Sequence, residues 1–259
     1  MTVMTSKEVP GLFITGTDTG VGKTYVGALV ARSLSAAGYR VGVYKPAASG
    51  CRRDGQALVC DDAVLLWESA GRPGRLERVC PQRFQAPLAP HLAAKAEGRR
   101  LDPELLRGGL DYWRDRSEIL LVEGAGGLMS PLGDEEYVAD LAGDFGFPLV
   151  IVARNALGTI NQTLQTLIAA AAFRRGGAPR FGGAPREERR EERRVGRRFA
   201  GLPVAGIVLN HPSPPSPDDP STATNRGELA ARSTVPILAE VAWGADRFDV
   251  QVDWARLAE

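Results

Sequence analysis

Short apolar runs alternate along the chain with longer stretches whose apolar residues recur at helical spacing. The runs predict strands at residues 12–15, 41–44, 119–122, 149–152, 204–209 and 236–241. The longer stretches predict helices at residues 23–37, 103–116 and 159–173, with Gly38 closing the first and Asp102 capping the second. This alternation is typical of βα units, so we expect an α/β fold with a mostly parallel sheet and helices on both faces.

The composition narrows the class of protein. The 259 residues are 44% hydrophobic and 24% charged, which is enough for one sizeable core, so we expect a single domain over residues 1–259. The net charge of +1 gives no general attraction to nucleic acid or membrane. Three scattered cysteines form neither a disulfide framework nor a CxxC metal motif, which favours a cytoplasmic protein. We see no secretory signal and no apolar run near the ~20 residues of a membrane helix.

One stretch breaks the alternating pattern. Residues 174–198 contain ten Arg and four Glu, a local charge of +6, and the sequence GGAPR occurs there twice. Like charges recur four residues apart between Glu187 and Arg194, which disfavours a stable helix. We therefore expect residues 174–199 to form a basic, partly disordered surface insertion. A nucleic-acid contact is the alternative, and it is disfavoured because residues 174–198 contain one aromatic residue, Phe181.

A glycine-rich turn between the first strand and the first helix carries the clearest chemical signal. It reads GTDTGVGKT, residues 16–24. Backbone N–H groups in such a turn cradle phosphates, Lys23 can reach the β- and γ-phosphates, and Thr24 can ligate Mg²⁺. Gly16 stands one residue before the position that strict GxxxxGK[ST] spacing requires, but the strand–turn–helix context still predicts a P-loop. The expected nucleotide contacts in this loop are Thr17, Asp18, Thr19, Gly20, Val21, Gly22, Lys23 and Thr24.

Two further loops follow predicted strands. Lys45 comes directly after residues 41–44, and Glu123 comes directly after residues 119–122. Because ligands of open α/β sheets bind beyond the carboxyl ends of the strands, the three loops should meet in one crevice. A carboxylate close to a buried strand needs a cation, so Glu123 predicts a contact with Mg²⁺. Asp61 and Asp62 could either cap the following helix or complete the oxygen shell of the metal.

Taken together, these motifs resemble a known enzyme family. Along the chain stand, in order, GTDTGVGKT, YKPAASG (44–50), DDA (61–63), PLAPH (87–91), VEGAGG (122–127), LGTIN (157–161) and a strand ending at Asn210. The set resembles the dethiobiotin synthetases over nearly the whole chain, apart from the basic insertion and the C-terminal tail. The resemblance implies a P-loop NTPase-like homodimer related to partition ATPases and cobyrinic acid amidating enzymes.

The resemblance implies one reaction. ATP, with Mg²⁺, drives closure of the ureido ring of dethiobiotin from 7,8-diaminopelargonate and CO₂, through a carbamate that attacks the γ-phosphorus. Lys23, Lys45 and Thr19 would then be catalytic, while Thr24, Asp62 and Glu123 would hold Mg²⁺. Fixed positive charge suits this chemistry because the carbamate and the triphosphate are both anionic.

The resemblance also implies how the remaining parts of the ligands are held. Ser49 and Gly126 would contact the substrate, and Glu123 and Asn210 would contact the nucleotide, with Asn210 at the adenine. A helix N-terminus from the partner subunit, with Gly158, Thr159 and Asn161, would bind the distal carboxylate. Thr159 could instead simply cap that helix, and His91 could be either an acid–base group or the start of a packed helix. Gly20, Ala156, Gln162 and Ala242 depart from residues common in the family, which affects the P-loop, the LGTIN flanks and the adenine pocket.

Three other classes of protein are disfavoured. A partition or division-site ATPase would carry a signature Lys at the position of Asp18. A nucleotide-dependent regulatory module would use the basic insertion and would bind DNA in a salt-dependent way. A glutamine-dependent amidating enzyme would need a second domain with a Cys nucleophile, which His211 and three cysteines in the first 80 residues do not provide.

Overall fold

The computed structural model describes residues 9–134, 136–173, 201–214 and 216–259, so the predicted insertion at 174–199 lies outside the described residues. The strands are β1 (Gly11–Gly16), β2 (Val41–Tyr44), β3 (Ala47–Ala48), β4 (Arg52–Asp54), β5 (Ala57–Val59), β6 (Gln82–Arg83), β7 (Ile119–Glu123), β8 (Leu149–Arg154), β9 (Val204–Asn210) and β10 (Ile237–Val241). The helices are α1 (Lys23–Ala36), α2 (Asp61–Ser69), α3 (Leu76–Val79), α4 (Pro90–Ala96), α5 (Pro103–Gly108), α6 (Asp111–Arg114), α7 (Val138–Phe145), α8 (Thr159–Ala172), α9 (Asn225–Arg232) and α10 (Trp254–Ala258).

The six predicted strands all lie in one parallel sheet, in the order β10-β9-β8-β1-β7-β2. β1, β2 and β7 are buried along their whole length, as their unbroken apolar runs predict. The short pair β3–β6 and the hairpin β4–β5 form two separate small sheets that the apolar pattern did not predict. The predicted α/β class with a mostly parallel sheet is confirmed.

Helices cover the sheet on both faces. The chain moves from β1 towards one edge and from β7 towards the other, so right-handed crossovers place α1 opposite α7, α8 and α9. In agreement, α1 contacts α2 and α10, whereas α8 contacts α9. Because β2, β7, β1 and β8 are parallel neighbours in the sheet, their carboxyl ends lie side by side along one edge.

The helix predicted over 103–116 is wrong in its extent, because it divides into α5 and α6. The Tyr44 hydroxyl donates to the carbonyl oxygens of Leu105 (2.7 Å) and Leu106 (3.2 Å), where the helix would continue. The Leu110 N–H turns to the Arg107 carbonyl instead of that of Leu106. A Cβ at Gly109 would lie 2.2 Å from the Tyr44 oxygen, so this close approach requires glycine. A tyrosine from a distant strand therefore ends the helix.

Asp102 caps α5 as its sequence position predicts. Its carboxylate accepts hydrogen bonds from the backbone N–H groups of Glu104 (2.9 Å) and Leu105 (3.0 Å). Asp102→Ala should lower the free energy of unfolding by about 1 kcal/mol, whereas Asp102→Asn keeps an acceptor and should lose much less. Urea unfolding of both variants measures the difference, and equal losses would contradict a capping role.

Candidate functional site

The P-loop, residues 16–24, runs from the end of β1 into α1. Gly20 and Gly22 have φ values of 72° and 90°, in the left-handed region that favours glycine. A Cβ on Gly22 would lie 2.1 Å from Nδ2 of Asn210, so a side chain there would displace the amide of Asn210. The N–H of Thr17 donates to the Val152 carbonyl (3.0 Å), which ties the loop to β8. The turn therefore has the shape of an anion-binding nest.

Lys23 and Thr24 open α1 and turn towards the end of β7. The ammonium of Lys23 is buried and donates to the carbonyl of Asp18 in its own loop (2.9 Å). Burial lowers the pKa of Lys23, and the negative charge of Glu123 partly opposes this effect. The Thr24 hydroxyl donates to Oε1 of Glu123 (2.8 Å), so P-loop and β7 are in direct contact.

Lys45 and Glu123 form a buried ion pair at the same edge of the sheet. Lys45 is 4% exposed and Glu123 is 1% exposed, and Nζ of Lys45 donates to Oε1 of Glu123. Nζ also lies 2.8 Å from Oδ2 of Asp62, whose side chain is 51% exposed. Burial acts to lower the pKa of Lys45, but Glu123 and Asp62 together raise it above its usual range. Burial raises the pKa of Glu123, against the opposing charge of Lys45.

The second oxygen of Glu123 lacks a polar partner among the described residues. Oε2 is buried and has no hydrogen-bond partner in the part of the chain that the structure describes. The Glu123 carboxylate and the Thr24 hydroxyl that it binds are oxygen groups of the kind that Mg²⁺ takes, and proteins commonly hold this ion through one or two carboxylates and substrate phosphates. Within residues 9–134, 136–173, 201–214 and 216–259, no group of three or more His, Cys, Asp or Glu is arranged to hold a metal.

The glycine-rich loop after β7 lies against the P-loop. A Cβ on Gly126 would lie 2.3 Å from Oγ of Ser130 and 3.6 Å from Oγ1 of Thr19. The Ser130 hydroxyl accepts a hydrogen bond from the N–H of Gly127 (2.8 Å) and so fixes the shape of this loop. The sequence did not indicate a role for Ser130, because that role depends on the hydrogen bond that its hydroxyl accepts within the turn. The structure brings the predicted residues Gly126 and Thr19 together.

A cleft of about 370 Å³ opens between the P-loop, the loop after β7 and α8. Its walls are Thr17, Asp18, residues 127–131, Gln162, Gln165, Thr166 and Ala169. Sequence reasoning did not assign the two glutamines to a cleft, although the helical spacing of 162, 165, 166 and 169 places these residues on one face of α8. The predicted residues Gly158, Thr159 and Asn161 do not line the cleft of their own chain.

The start of α8 differs from one expectation. Gly158, with φ 95°, is the N-cap, so the alternative in which Thr159 caps the helix is wrong. Thr159 is buried inside the first turn, and its hydroxyl has no partner among the described residues. Asn161 and Gly158 face outward and are exposed.

The start of α2 separates the two aspartates. Cys60 is the N-cap, so neither Asp61 nor Asp62 caps the helix, and both belong to its first turn. Asp61 accepts a hydrogen bond from the guanidinium of Arg52 (2.8 Å), whereas Asp62 joins the ion pair of Lys45 and Glu123. Of the two, Asp62 is the one that the structure brings to Lys45.

Other candidates lie around this centre. Asn210 is buried and donates from Nδ2 to the Val21 carbonyl (2.8 Å), while its Oδ1 has no partner among the residues described. Ser49 is half-buried in the segment after β3. His91 is the second residue of α4, with Nδ1 3.2 Å from the carbonyl oxygen of Pro131, as a packed helix start predicts. Arg154, which sequence reasoning missed, ends β8 and reaches the Gly20 carbonyl at 3.4 Å.

Comparisons with known proteins identify the fold and the family of this chain. A family model described as an AAA domain, AAA_26, matches residues 10–247. Among solved structures, the septum site-determining protein MinD complexed with Mg-ADP from Pyrococcus horikoshii OT3 has a TM-score of 0.50 and 16% identity, over 90% of this chain and 81% of that chain. At this identity the likeness shows the P-loop fold alone.

Curated relatives are more specific. The ATP-dependent dethiobiotin synthetase BioD of Rhodopirellula baltica is 38% identical over 241 residues, covering 88% of this chain and 82% of the relative. The protein of the same name from Anaeromyxobacter dehalogenans strain 2CP-C is 41% identical over 236 residues, 91% of each chain. The Bacillus subtilis protein of this name is 36% identical over 231 residues, 88% of this chain and 85% of the relative. The chain therefore belongs to the ATP-dependent dethiobiotin synthetase family.

Proposed function

We propose that this chain, an ATP-dependent ligase of biotin biosynthesis by its family, converts 7,8-diaminopelargonate and CO₂ to dethiobiotin while ATP becomes ADP and phosphate. The observation that carries the proposal is the buried contact chain Lys45–Glu123–Thr24. It joins the ends of β2 and β7 to the P-loop. It therefore holds a buried ammonium and a buried carboxylate next to the loop that we propose binds the phosphates.

The charges in this cluster suit a reaction between two anions. A carbamate and a triphosphate repel each other, so their approach requires cations that are held in place before the reaction. Lys23 and Lys45 are both buried, and each lies close enough for its charge to act on the same carboxylate, Glu123. The raised pKa of Lys45 keeps this ammonium charged at every pH at which the enzyme would work. We propose that the Lys45 ammonium gives up one of its contacts with these carboxylates and binds the anionic substrate instead.

The proposed reaction has three steps. One amine of the substrate attacks CO₂ and loses a proton, which gives a carbamate. A carbamate oxygen attacks the γ-phosphorus and ADP leaves, which gives a carbamic–phosphoric anhydride. The second amine then attacks the carbonyl carbon, phosphate leaves, and the ureido ring closes. A rigid crevice favours this sequence because two amines of one molecule must meet the same carbon.

We propose roles for the surrounding residues from their positions. Lys23 and the P-loop residues 17–24 hold the phosphates, and Thr19 and Ser49 bind the reacting nitrogens or the carbamate beside Gly126. Thr24, Glu123 and Asp62 would hold Mg²⁺, whose charge would offset that of the phosphate oxygens. The open Oδ1 of Asn210 supports an adenine contact, because it can accept a hydrogen bond from the exocyclic amine.

We also propose a homodimer in which Gly158, Thr159 and Asn161 serve the partner's site. These residues lie outside the cleft of their own chain, at the N-terminus of a helix that suits a carboxylate. Leu157 is 85% exposed and Ile168 is 67% exposed, an unusual pair of uncovered apolar side chains beside and along α8. A second copy packed on this side of α8 would cover both.

Several expectations stay predictions. They are the single domain, the cytoplasmic location, the absence of a nucleic-acid or membrane partner, and the character of residues 174–199. Among the described residues, no helix has the length and apolar character to cross a membrane.

The reaction can be tested directly with 7,8-diaminopelargonate, bicarbonate and MgATP. Mass spectrometry should detect dethiobiotin together with ADP. Lys23→Ala and Lys45→Ala should each lower the rate by about 100-fold or more, because each removes a fixed cation from the reacting centre. Lys95→Ala, which changes an exposed lysine on α4, is the matched control and should keep the full rate. ATP hydrolysis by a folded protein without any dethiobiotin would refute the proposed substrate.

Nucleotide binding should depend on pH through Lys23. Burial lowers its pKa from the usual 10.5, so this ammonium loses its proton at a lower pH than an exposed lysine, while Lys45 stays charged. ATP affinity should therefore fall as pH rises from about 7 to about 10, with a midpoint below that of free lysine. Titration calorimetry of the wild type and of Lys23→Arg measures the ATP affinity across this pH range. Each affinity is compared with that of the same protein at neutral pH. The same relative fall in Lys23→Arg, which stays charged, would assign the effect to another group.

The proposed dimer predicts a change of molecular mass. Ile168→Glu places a charge in the proposed interface, so light scattering after size-exclusion chromatography should report a monomer where the wild type is a dimer. Val250→Glu, at a side chain that is also exposed but belongs to the segment between β10 and α10, is the matched control and should stay dimeric. A monomeric wild type, or an unchanged dimer in Ile168→Glu, would contradict this interface.

A further inference from the structure

Beside the proposed centre lies a group of reactive side chains that the reaction does not use. Cys51, Cys60 and Cys80 are all buried and free. The Cys51 thiol donates to the Ala48 carbonyl (3.7 Å) and the Cys80 thiol donates to the Gln82 carbonyl (3.5 Å), at the paired strands β3 and β6. Cys60 lies close enough to act on both thiols, so the three are neighbours although they are scattered in sequence. Cys51 immediately precedes β4, and Cys60 immediately follows β5.

The hairpin β4–β5 places two of these cysteines opposite each other. Its strands pair antiparallel, with Asp54 opposite Ala57, Arg53 opposite Leu58 and Arg52 opposite Val59. The next pair outward in this register is Cys51 and Cys60. The backbone of Cys60 is still extended there, with φ −96° and ψ 105°, so the ladder geometry continues to this pair.

The alternation of hydrogen bonds along the hairpin decides which kind of pair this is. Gly55, with φ 59°, begins a two-residue turn, so Asp54 and Ala57 form a hydrogen-bonded pair. Counting outward, the pairs alternate, and Cys51 with Cys60 falls on a non-hydrogen-bonded pair. In agreement, the N–H of Cys51 donates outside the hairpin, to the Phe84 carbonyl at 2.9 Å. Cα atoms of such pairs lie about 4.5 Å apart, within the range that a disulfide bridges.

We propose that Cys51 and Cys60 form a site of reversible oxidation, at which a two-electron oxidant of the peroxide class produces a disulfide. One thiolate attacks a peroxide oxygen, the O–O bond breaks, and a sulfenic acid forms as water leaves. The other thiol attacks the sulfenic sulfur, the S–S bond forms, and a second water leaves. Two thiols thus lose two electrons and two protons, and one peroxide becomes two waters. Exchange with a small thiol reverses the modification.

The hairpin itself provides access for the oxidant. β4 is exposed and β5 is partly exposed, and a two-stranded hairpin is only marginally stable by itself. Local opening of these strands uncovers the two sulfurs without unfolding the main sheet. The cross-link would join the segment after Ser49 to the start of α2 beside Asp62, so it would bridge two elements that border the proposed centre.

The test uses the full chain. The protein is first reduced, the small-molecule reductant is then removed, and hydrogen peroxide is added. Thiols counted in denaturant should fall from three to one, a peptide map without reductant should show the Cys51–Cys60 link, and dithiothreitol should restore all three. Hydrogen exchange of the hairpin amides should slow by about tenfold or more, because a disulfide limits local opening. These wild-type measurements need no variant to fold.

Variants then separate the three sulfurs. Cys80→Ala is the matched control. Its thiol count should fall from two to none, and its peptide map should show the same Cys51–Cys60 link. Cys51→Ala should keep both of its thiols under the same treatment. A wild-type link through Cys80, a link between two chains, or three thiols that survive excess peroxide would overturn the proposal.

Discussion

The structure around the P-loop depends on two opposite charges that are buried together. An ammonium or a carboxylate that leaves water loses several kcal/mol of solvation, so neither Lys45 nor Glu123 would be stable in this position without a partner. Their contact fixes the end of β2 against the end of β7. The Thr24 hydroxyl, which donates to the same carboxylate, extends this constraint to the first turn of α1. Half-exposed Asp62 adds a second carboxylate at the solvent side of the ammonium and so links α2 to the same centre.

A second constraint joins the opposite half of the sheet to the phosphate loop. Asn210 ends β9, and its amide nitrogen binds the Val21 carbonyl at the place where Gly22 leaves no room for a side chain. The end of β9 is therefore held against the P-loop, and the free oxygen of the same amide stays available beside it. Thr17 anchors the loop to β8 between these two halves. The nucleotide site is thus defined by contacts between strands that are far apart in sequence.

The α8 side has a different physical character. One face of α8 lines the cleft with polar side chains, those of Gln162, Gln165 and Thr166. Beside and along the same helix, the apolar side chains of Leu157 and Ile168 are exposed. One element thus borders both the cleft and the uncovered apolar surface on which we propose that a second copy packs. The cysteine pair is more local, because it depends on the register of one short hairpin, and it would respond to oxidants whether or not the proposed substrate is bound.

Local pattern by itself determined the α/β class, the six sheet strands, both long helices to within a residue, the cap at Asp102 and the P-loop turn. Such features depend on side-chain periodicity and on residues adjacent in sequence, so the sequence shows them directly. Tertiary structure decided the rest. The break after Gly108 depends on Tyr44, and the choice of Asp62 over Asp61 depends on Lys45. Gly158 is the N-cap of α8, and Thr159 is buried inside its first turn. The alignment of Cys51 with Cys60 depends on strand register. Each of these outcomes is set by which side chain the fold brings into contact, and a contact between distant residues leaves no periodic signal in the sequence.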